Sequence, residues 1–188
     1  VKNMKIIINY IRSRIRKFLL EEIWLEDYIN MGMEIGDNCS IQPGVIFDYS
    51  HCWLIKIGNN VTIAPYAYIL AHDASTKRLN NYTKVGSVTI EDNVFIGARA
   101  IIMPGVTIGK DSIIAAGSIV TKSVSEGSLL AGNPAKVIST VEEYIEKNKL
   151  QDRIAKIYDG RFTLKGEISS HDKKMMYEDL INDIGFVL

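Results

Sequence analysis

The sequence predicts a mainly β chain wound into stacked triangular coils, a parallel β-helix with helical segments at both ends. Three observations carry this. Aliphatic β-branched residues recur at every sixth position, in Ile90, Ile96, Ile102, Ile108, Ile114 and Val120. The position four further along each repeat is small or aliphatic, in Val94, Ala100, Val106, Ser112, Ser118 and Val124. The lead residue is also followed by turn formers, as in "IGDN" at 35–38, "IGNN" at 57–60 and "IEDN" at 90–93.

A period of six matches neither the face of an α-helix nor the two-residue alternation of a simple strand. It fits a short strand and a tight turn, with one aliphatic side chain per repeat pointing inward. Glycine and asparagine supply the turn geometry. Three such faces close one coil, and stacked coils bury a continuous column of Ile and Val. The same stamp appears at Ile35, Ile41 and Phe47, and again at Ile57, Ile63 and Ile69. The repeats therefore place the β-helix at 33–138.

Two breaks in phase interrupt it. Phe47 and Ile57 are ten residues apart, four more than one repeat, so "DYSHCWLIK" at 48–56 contains a bulge. Ile69 and Ile90 are twenty-one apart, three more than three repeats. The polar stretch 73–89 carries no aliphatic column and is expected to leave the coil as an extruded loop. Long loops on a rigid scaffold are where binding and catalysis concentrate.

Residues 1–32 are read as an N-terminal helical cap. Ile7, Ile11, Ile15, Phe18 and Leu19 stand at helical spacing, and residues 1–20 hold six basic and no acidic side chains. Covering the open end of the coil stack is the plain role of such a helix. Peripheral contact with an anionic inner-membrane surface is its second reading. Residues 139–188 form a C-terminal helical extension. "TVEE" at 140–143 reads as a capping box for a helix over 140–158, and a second helix is expected over 171–184.

Composition narrows the function classes. The 188 residues balance 22 basic against 22 acidic side chains, which argues against a nucleic-acid binder. Cys39 and Cys52 are too few for a disulfide framework and lack CxxC spacing, so a reducing cytoplasmic setting is expected. No apolar run reaches the length of a membrane span, and no signal-peptide pattern is present.

Three motifs now matter together: "IGNNVTIAPYAYILAHD", "IEDNVFIGARAIIMPGVTIGKDSIIAAGSIVTKSV" and "AGNPAKVI". Through them, residues 57–138 resemble the hexapeptide-repeat acyltransferases, especially the maltose- and galactoside-type sugar O-acetyltransferases and those that decorate surface polysaccharides. The resemblance implies a left-handed β-helix, a homotrimer, and acetyl-CoA lying in the groove between subunits. It implies His72, at the root of the extruded loop, as the catalytic base. Coenzyme A contacts fall by the same resemblance on Ala98 and Ala116 and on Thr121 and Lys122, with Lys136 near the nucleotide phosphate. Ala98 stands where some relatives carry serine.

The chemistry asks for such groups. A sugar hydroxyl is a poor nucleophile until a base takes its proton, and an imidazole suits that task at neutral pH. A backbone N–H near Gly97 and Ala98 is the expected oxyanion donor. No cysteine is placed for acyl-enzyme chemistry, so direct transfer in a ternary complex is expected. Asp73 is read as orienting the imidazole or contacting the acceptor. Asp48, His51 and Trp53 of the bulge and Tyr82 of the loop are candidates for the acceptor pocket.

The expected function is acetyl-CoA-dependent O-acetylation of a carbohydrate hydroxyl, on a surface polysaccharide or glycan precursor. The alternatives are an amino-sugar N-acetyltransferase, an antibiotic acetyltransferase and, least favoured, a non-catalytic β-helix scaffold. A zinc carbonic anhydrase on this scaffold needs three histidines per metal. His51 and His72 are twenty-one residues apart and His171 lies outside the repeats, so no metal is expected.

Overall fold

A computed structural model describes residue 11, residues 23–152 and residues 155–187. The first coil consists of β1 (Glu34–Ile35), β2 (Ser40–Ile41) and β3 (Ile46–Phe47). The second consists of β4 (Ile55–Ile57), β5 (Thr62–Ile63) and β6 (Tyr68–Ile69), after which β7 (His72–Asp73) and β8 (Lys84–Val85) leave the stack. The third is β9 (Val88–Ile90), β10 (Phe95–Ile96) and β11 (Ile101–Ile102). The fourth is β12 (Thr107–Ile108), β13 (Ile113–Ile114) and β14 (Ile119–Val120), followed by β15 (Ser128–Gly132) and β16 (Ala135–Thr140).

The sheets run β1-β4-β9-β12, then β2-β5-β10-β13-β15-β16, then β3-β6-β11-β14. They are the three faces of a left-handed parallel β-helix, and we call them the first, second and third face. Register follows the sixfold columns: Ile57 pairs with Ile35 and Ile90, Ile96 with Ile63 and Ile114, and Ile102 with Ile69 and Val120. Each inward Ile of the inner coils is buried. A buried side chain of this size contributes about 1.5–3 kcal/mol, so the column holds the prism together.

The corners explain the turn residues. Asn38, Asn60, Asn93 and Asp111 all adopt positive φ, between 55° and 59°, at one corner of successive coils. Their side chains bond along that edge, Asn60 Nδ2 donating to Asn93 Oδ1 at 3.1 Å and Asn93 Nδ2 to Asp111 Oδ1 at 2.8 Å. Gly97 answers a different need. A methyl group there would meet the backbone N of Ala116 at 2.5 Å, so the coils stack at this spacing only with glycine.

Both breaks in phase are excursions from corners. The bulge between β3 and β4 holds a short 3₁₀ turn at Cys52–Leu54. The extruded loop is a hairpin in which β7 and β8 pair antiparallel, with a helical turn at Lys77–Asn80 between them. Gly86 N–H donates to Ala71 O at 3.0 Å and returns the chain to the stack. The coil resumes earlier than expected. Val88 is fully buried in β9, so the last two residues of the expected loop 73–89 belong to a strand of the stack.

By itself, the chain divides into two compact units, 1–138 and 139–188. The second opens with the helix Val141–Asp152, capped as the sequence predicts: Thr140 Oγ1 accepts from Glu143 N–H at 3.1 Å, and Glu143 Oε2 accepts from Thr140 N–H at 3.1 Å. The expected helix over 140–158 is too long, because β17 (Lys156–Tyr158) pairs parallel with β18 (Gly185–Val187). The second helix is Ser170–Asp179, shorter than the expected 171–184: Ser169 caps its start and Leu180 ends it. Tyr158 is buried in this unit and donates to Asp179 Oδ2 at 3.1 Å.

Of the expected N-terminal helix, Ile7, Ile15, Phe18 and Leu19 lie outside the described residues. Ile11 is helical and exposed. Leu25–Asn30 forms a helix ahead of the first coil, with Tyr28 packed edge-on against Phe47 at 5.3 Å. No helix among the described residues is long and apolar enough to cross a membrane.

Candidate active site

The site forms where the third face runs into the two excursions. Asp48 directly follows the column residue Phe47, and its N–H donates to Ile69 O at 2.9 Å. The bulge then turns back over its carboxylate. Oδ1 accepts from Ser50 N–H at 3.1 Å, Ser50 Oγ at 3.0 Å and His51 N–H at 3.2 Å. Oδ2 accepts from Ala71 N–H and His72 N–H, each at 2.8 Å, and lies 2.5 Å from His72 Nδ1. The Asp48 side chain is fully buried, while that of His72 is 35% exposed.

Burial by itself would push the Asp48 carboxyl up. Hydrogen bonds from His72, Ala71 and Ser50, with the charge of the imidazole, outweigh it and hold the group below the ordinary carboxylate value. Asp48 is therefore ionised at neutral pH and accepts a proton-bearing Nδ1 from His72. In the neutral imidazole that choice puts the lone pair on Nε2, the tautomer a general base needs.

The other candidates sort by position. Asp48, expected in the acceptor pocket, has a fully buried carboxylate that bonds His72 at Nδ1. Asp73 does not take that role: its carboxylate accepts from Ser75 N–H at 2.9 Å, which holds it below the usual carboxylate range. His51 lies beside His72 with ring centroids 5.2 Å apart, and Trp53 lies beside His51 at 5.3 Å. Tyr82 is exposed on the hairpin. Burial pushes the Cys52 thiol up, and the nearby Asp48 charge adds to this, so Cys52 is a poor nucleophile at neutral pH.

The donor-side candidates occupy two different edges. Thr121 and Lys122 follow β14 at the same corner of the prism from which the His72 hairpin leaves after β6. Ala98 and Ala116 precede β11 and β14 at the opposite edge of the third face, stacked with Gly117 N–H donating to Ala98 O at 2.8 Å. The N–H groups of Ala98 and Ala116 have no acceptor among the described residues. Gly97 N–H is given to Ile114 O at 2.8 Å, so the free donor of this turn is Ala98. Lys122 and Lys136 are exposed.

Sequence reasoning missed Ser50, which bridges the two imidazoles. Its signal was available in "DYSH", a short polar run starting one residue after a column position at a phase break. Asp48, His51 and His72 also carry ligand-capable atoms within 4.8 Å of one another. The Asp48 carboxylate already accepts from six donors and Ser50 Oγ sits among the three groups, an arrangement organised to place protons.

The family described as the hexapeptide repeat of succinyl-transferase matches residues 87–122. YvoF of Bacillus subtilis (strain 168), provisionally named an acetyltransferase, is 34% identical over 149 residues, covering 78% of this chain and 84% of its own. The chain belongs to the hexapeptide-repeat acetyltransferases. A second relative, YJL218W of Saccharomyces cerevisiae and also provisionally named an acetyltransferase, is 38% identical over 146 residues, covering 76% of this chain and 72% of its own. Among solved structures, a galactoside acetyltransferase in complex with coenzyme A superposes with a TM-score of 0.52 at 28% identity, covering 72% of this chain and 82% of that one. As a hexapeptide-repeat acetyltransferase, the chain is an acyl-transfer enzyme, and its imidazole–carboxylate pair sits on the solenoid at the root of the extruded hairpin.

Proposed function

We propose that this acetyltransferase transfers an acetyl group from acetyl-CoA to a carbohydrate hydroxyl, with His72 as the general base. The observation that carries the reading is the His72–Asp48 pair, a half-exposed imidazole held at Nδ1 by a buried, ionised carboxylate. Acetyl-CoA, when bound, supplies an activated thioester carbonyl. His72 Nε2 takes the proton of the acceptor hydroxyl as its oxygen replaces sulfur on the acetyl carbon, the Asp48 charge stabilises the imidazolium that forms, and Nε2 then gives that proton to the departing thiolate, so that free thiol is released. The unpartnered N–H groups of Ala98 and Ala116 suit the amides and carbonyl of such a donor, and Lys122 and Lys136 suit its phosphates. Thr121 lies beside Lys122 on the same edge. Trp53, 52% exposed next to His51, offers an apolar platform for a sugar ring, and Tyr82 and Asp73 border the pocket from the hairpin.

Release of free thiol from acetyl-CoA, followed across a panel of sugars and amines, tests this. Hydroxyl acceptors, including glycan fragments, are expected to turn over. Turnover confined to amines would replace the reading with N-acetylation of an amino sugar or an antibiotic.

The same reading includes a homotrimer. His72 and the free amides of Ala98 and Ala116 stand on different edges of one face, so a donor spanning both kinds of contact is best served by the edges of two copies meeting. The outer surface of the third face supports this, with Ile46, Tyr68, Ile101 and Ile119 in register, whereas the first face presents Glu34, Lys56, Thr89 and Thr107. Sedimentation is expected to give three chain masses. A monomer that retains full activity would remove the intersubunit donor site.

A further inference from the structure

We propose that Ser50 and His51 form a second, hydroxyl-binding imidazole in the acceptor pocket, so that the enzyme selects acceptors carrying two neighbouring hydroxyls; this rests on the reading of His72 as the base of acetyl transfer. Ser50 Oγ lies 3.0 Å from Asp48 Oδ1, 3.0 Å from His51 Nδ1 and 3.2 Å from His72 Nδ1. A hydroxyl has one proton to give and two lone pairs to offer. An ionised carboxylate only accepts, so the Ser50 proton goes to Asp48. His51 must then donate its Nδ1–H to Ser50 Oγ, as His72 donates its own to Asp48 Oδ2. One buried charge thus sets both tautomers, directly for His72 and through Ser50 for His51.

In the neutral form of each ring, the lone pair therefore lies on Nε2. The rings lie 5.2 Å apart, tilted by 39°, and both are half-buried at the mouth of the bulge. A polyol can give one hydroxyl proton to His72 and donate a hydrogen bond from the adjacent hydroxyl to His51 while its apolar face rests on Trp53. A simple alcohol engages only the first of these. A histidine with a purely structural task would affect all acceptors alike, whereas a second hydroxyl-binding imidazole separates diols from their deoxy analogues.

The test compares an acetylated sugar with its analogue lacking the hydroxyl next to the acetylation site, using the full chain and acetyl-CoA. Wild type is expected to lose about tenfold or more in kcat/KM on the deoxy acceptor, the scale of one hydrogen bond in a shielded site. In His51→Ala the two acceptors should agree within about twofold, and His51→Gln, whose Oε1 can accept, should restore part of the preference. Ser50→Ala should weaken the preference and Ser50→Thr should restore it. Each ratio is internal to one variant, so a loss of folded protein does not mimic the result. An unchanged preference in His51→Ala overturns the inference while leaving His72 as base. Failure of every hydroxyl acceptor overturns both.

Discussion

Replacing His72 with alanine is expected to lower kcat by about 10²–10⁴-fold, the usual contribution of a general base. The loss should fall on kcat more than on the affinity for acetyl-CoA, because the donor-side candidates Ala98, Ala116, Thr121 and Lys122 are separate from the imidazole. The fold should survive. The His72 ring is one of six donors to Asp48, and the other five, the His72 backbone N–H among them, stay in place. Steady-state kinetics with a sugar acceptor and a parallel thermal melt check both parts. Wild-type kcat in a folded His72→Ala enzyme would remove imidazole catalysis from the mechanism.

Asp48→Asn is expected to be the more damaging change, since it strikes the reaction and the fold together. Asparagine cannot accept at both ends of its side chain, so its NH₂ faces N–H groups that now have no partner. Leaving buried donors unsatisfied in this way costs about 1–3 kcal/mol. Activity should also fall by about 10²–10⁴-fold, because an amide can hold the imidazole in the unproductive tautomer. The pH dependence separates this from ordinary destabilisation. The Asp48 carboxyl is held below its ordinary value in the folded chain. Its stabilising contribution is therefore complete above the unfolded carboxyl value of about 3.9 and is lost as pH falls through the lower folded value. Melts between pH 3 and 7 should show wild type losing its advantage over Asp48→Asn only at the acid end. A constant gap across that range would mean that Asp48 does not act through its charge.

The fold was legible in the primary structure because its core repeats. Every sixth residue from Ile90 to Val120 is an inward column position, and the asparagines after "IG" and "IE" sit at the positive-φ corner those motifs imply. The excursions were legible as breaks in the count, though not their inner ends: Val88 looked like loop because its place in the column becomes visible only when β9 pairs with β4. The second unit was read less well. The capping box and the helices expected over 140–158 and 171–184 did not show that Lys156–Tyr158 and Gly185–Val187 would find each other, since strand pairing between distant segments leaves no local period.

The site divides along the same line. His72 was a candidate base from its place at the end of a motif and the root of the loop. Its orienting carboxylate was not legible, because Asp73 is the nearer acid in sequence while Asp48, twenty-four residues away, is the nearer in space. What the linear pattern determined by itself was the prism, its corners and the segments that leave it, since these follow from side-chain size and turn geometry repeated at a fixed interval. Only the tertiary structure decided which acid faces the imidazole, which proton Ser50 gives, and on which edges the free amides lie. Those are consequences of coil stacking, which brings residues one turn of the solenoid apart to hydrogen-bonding distance.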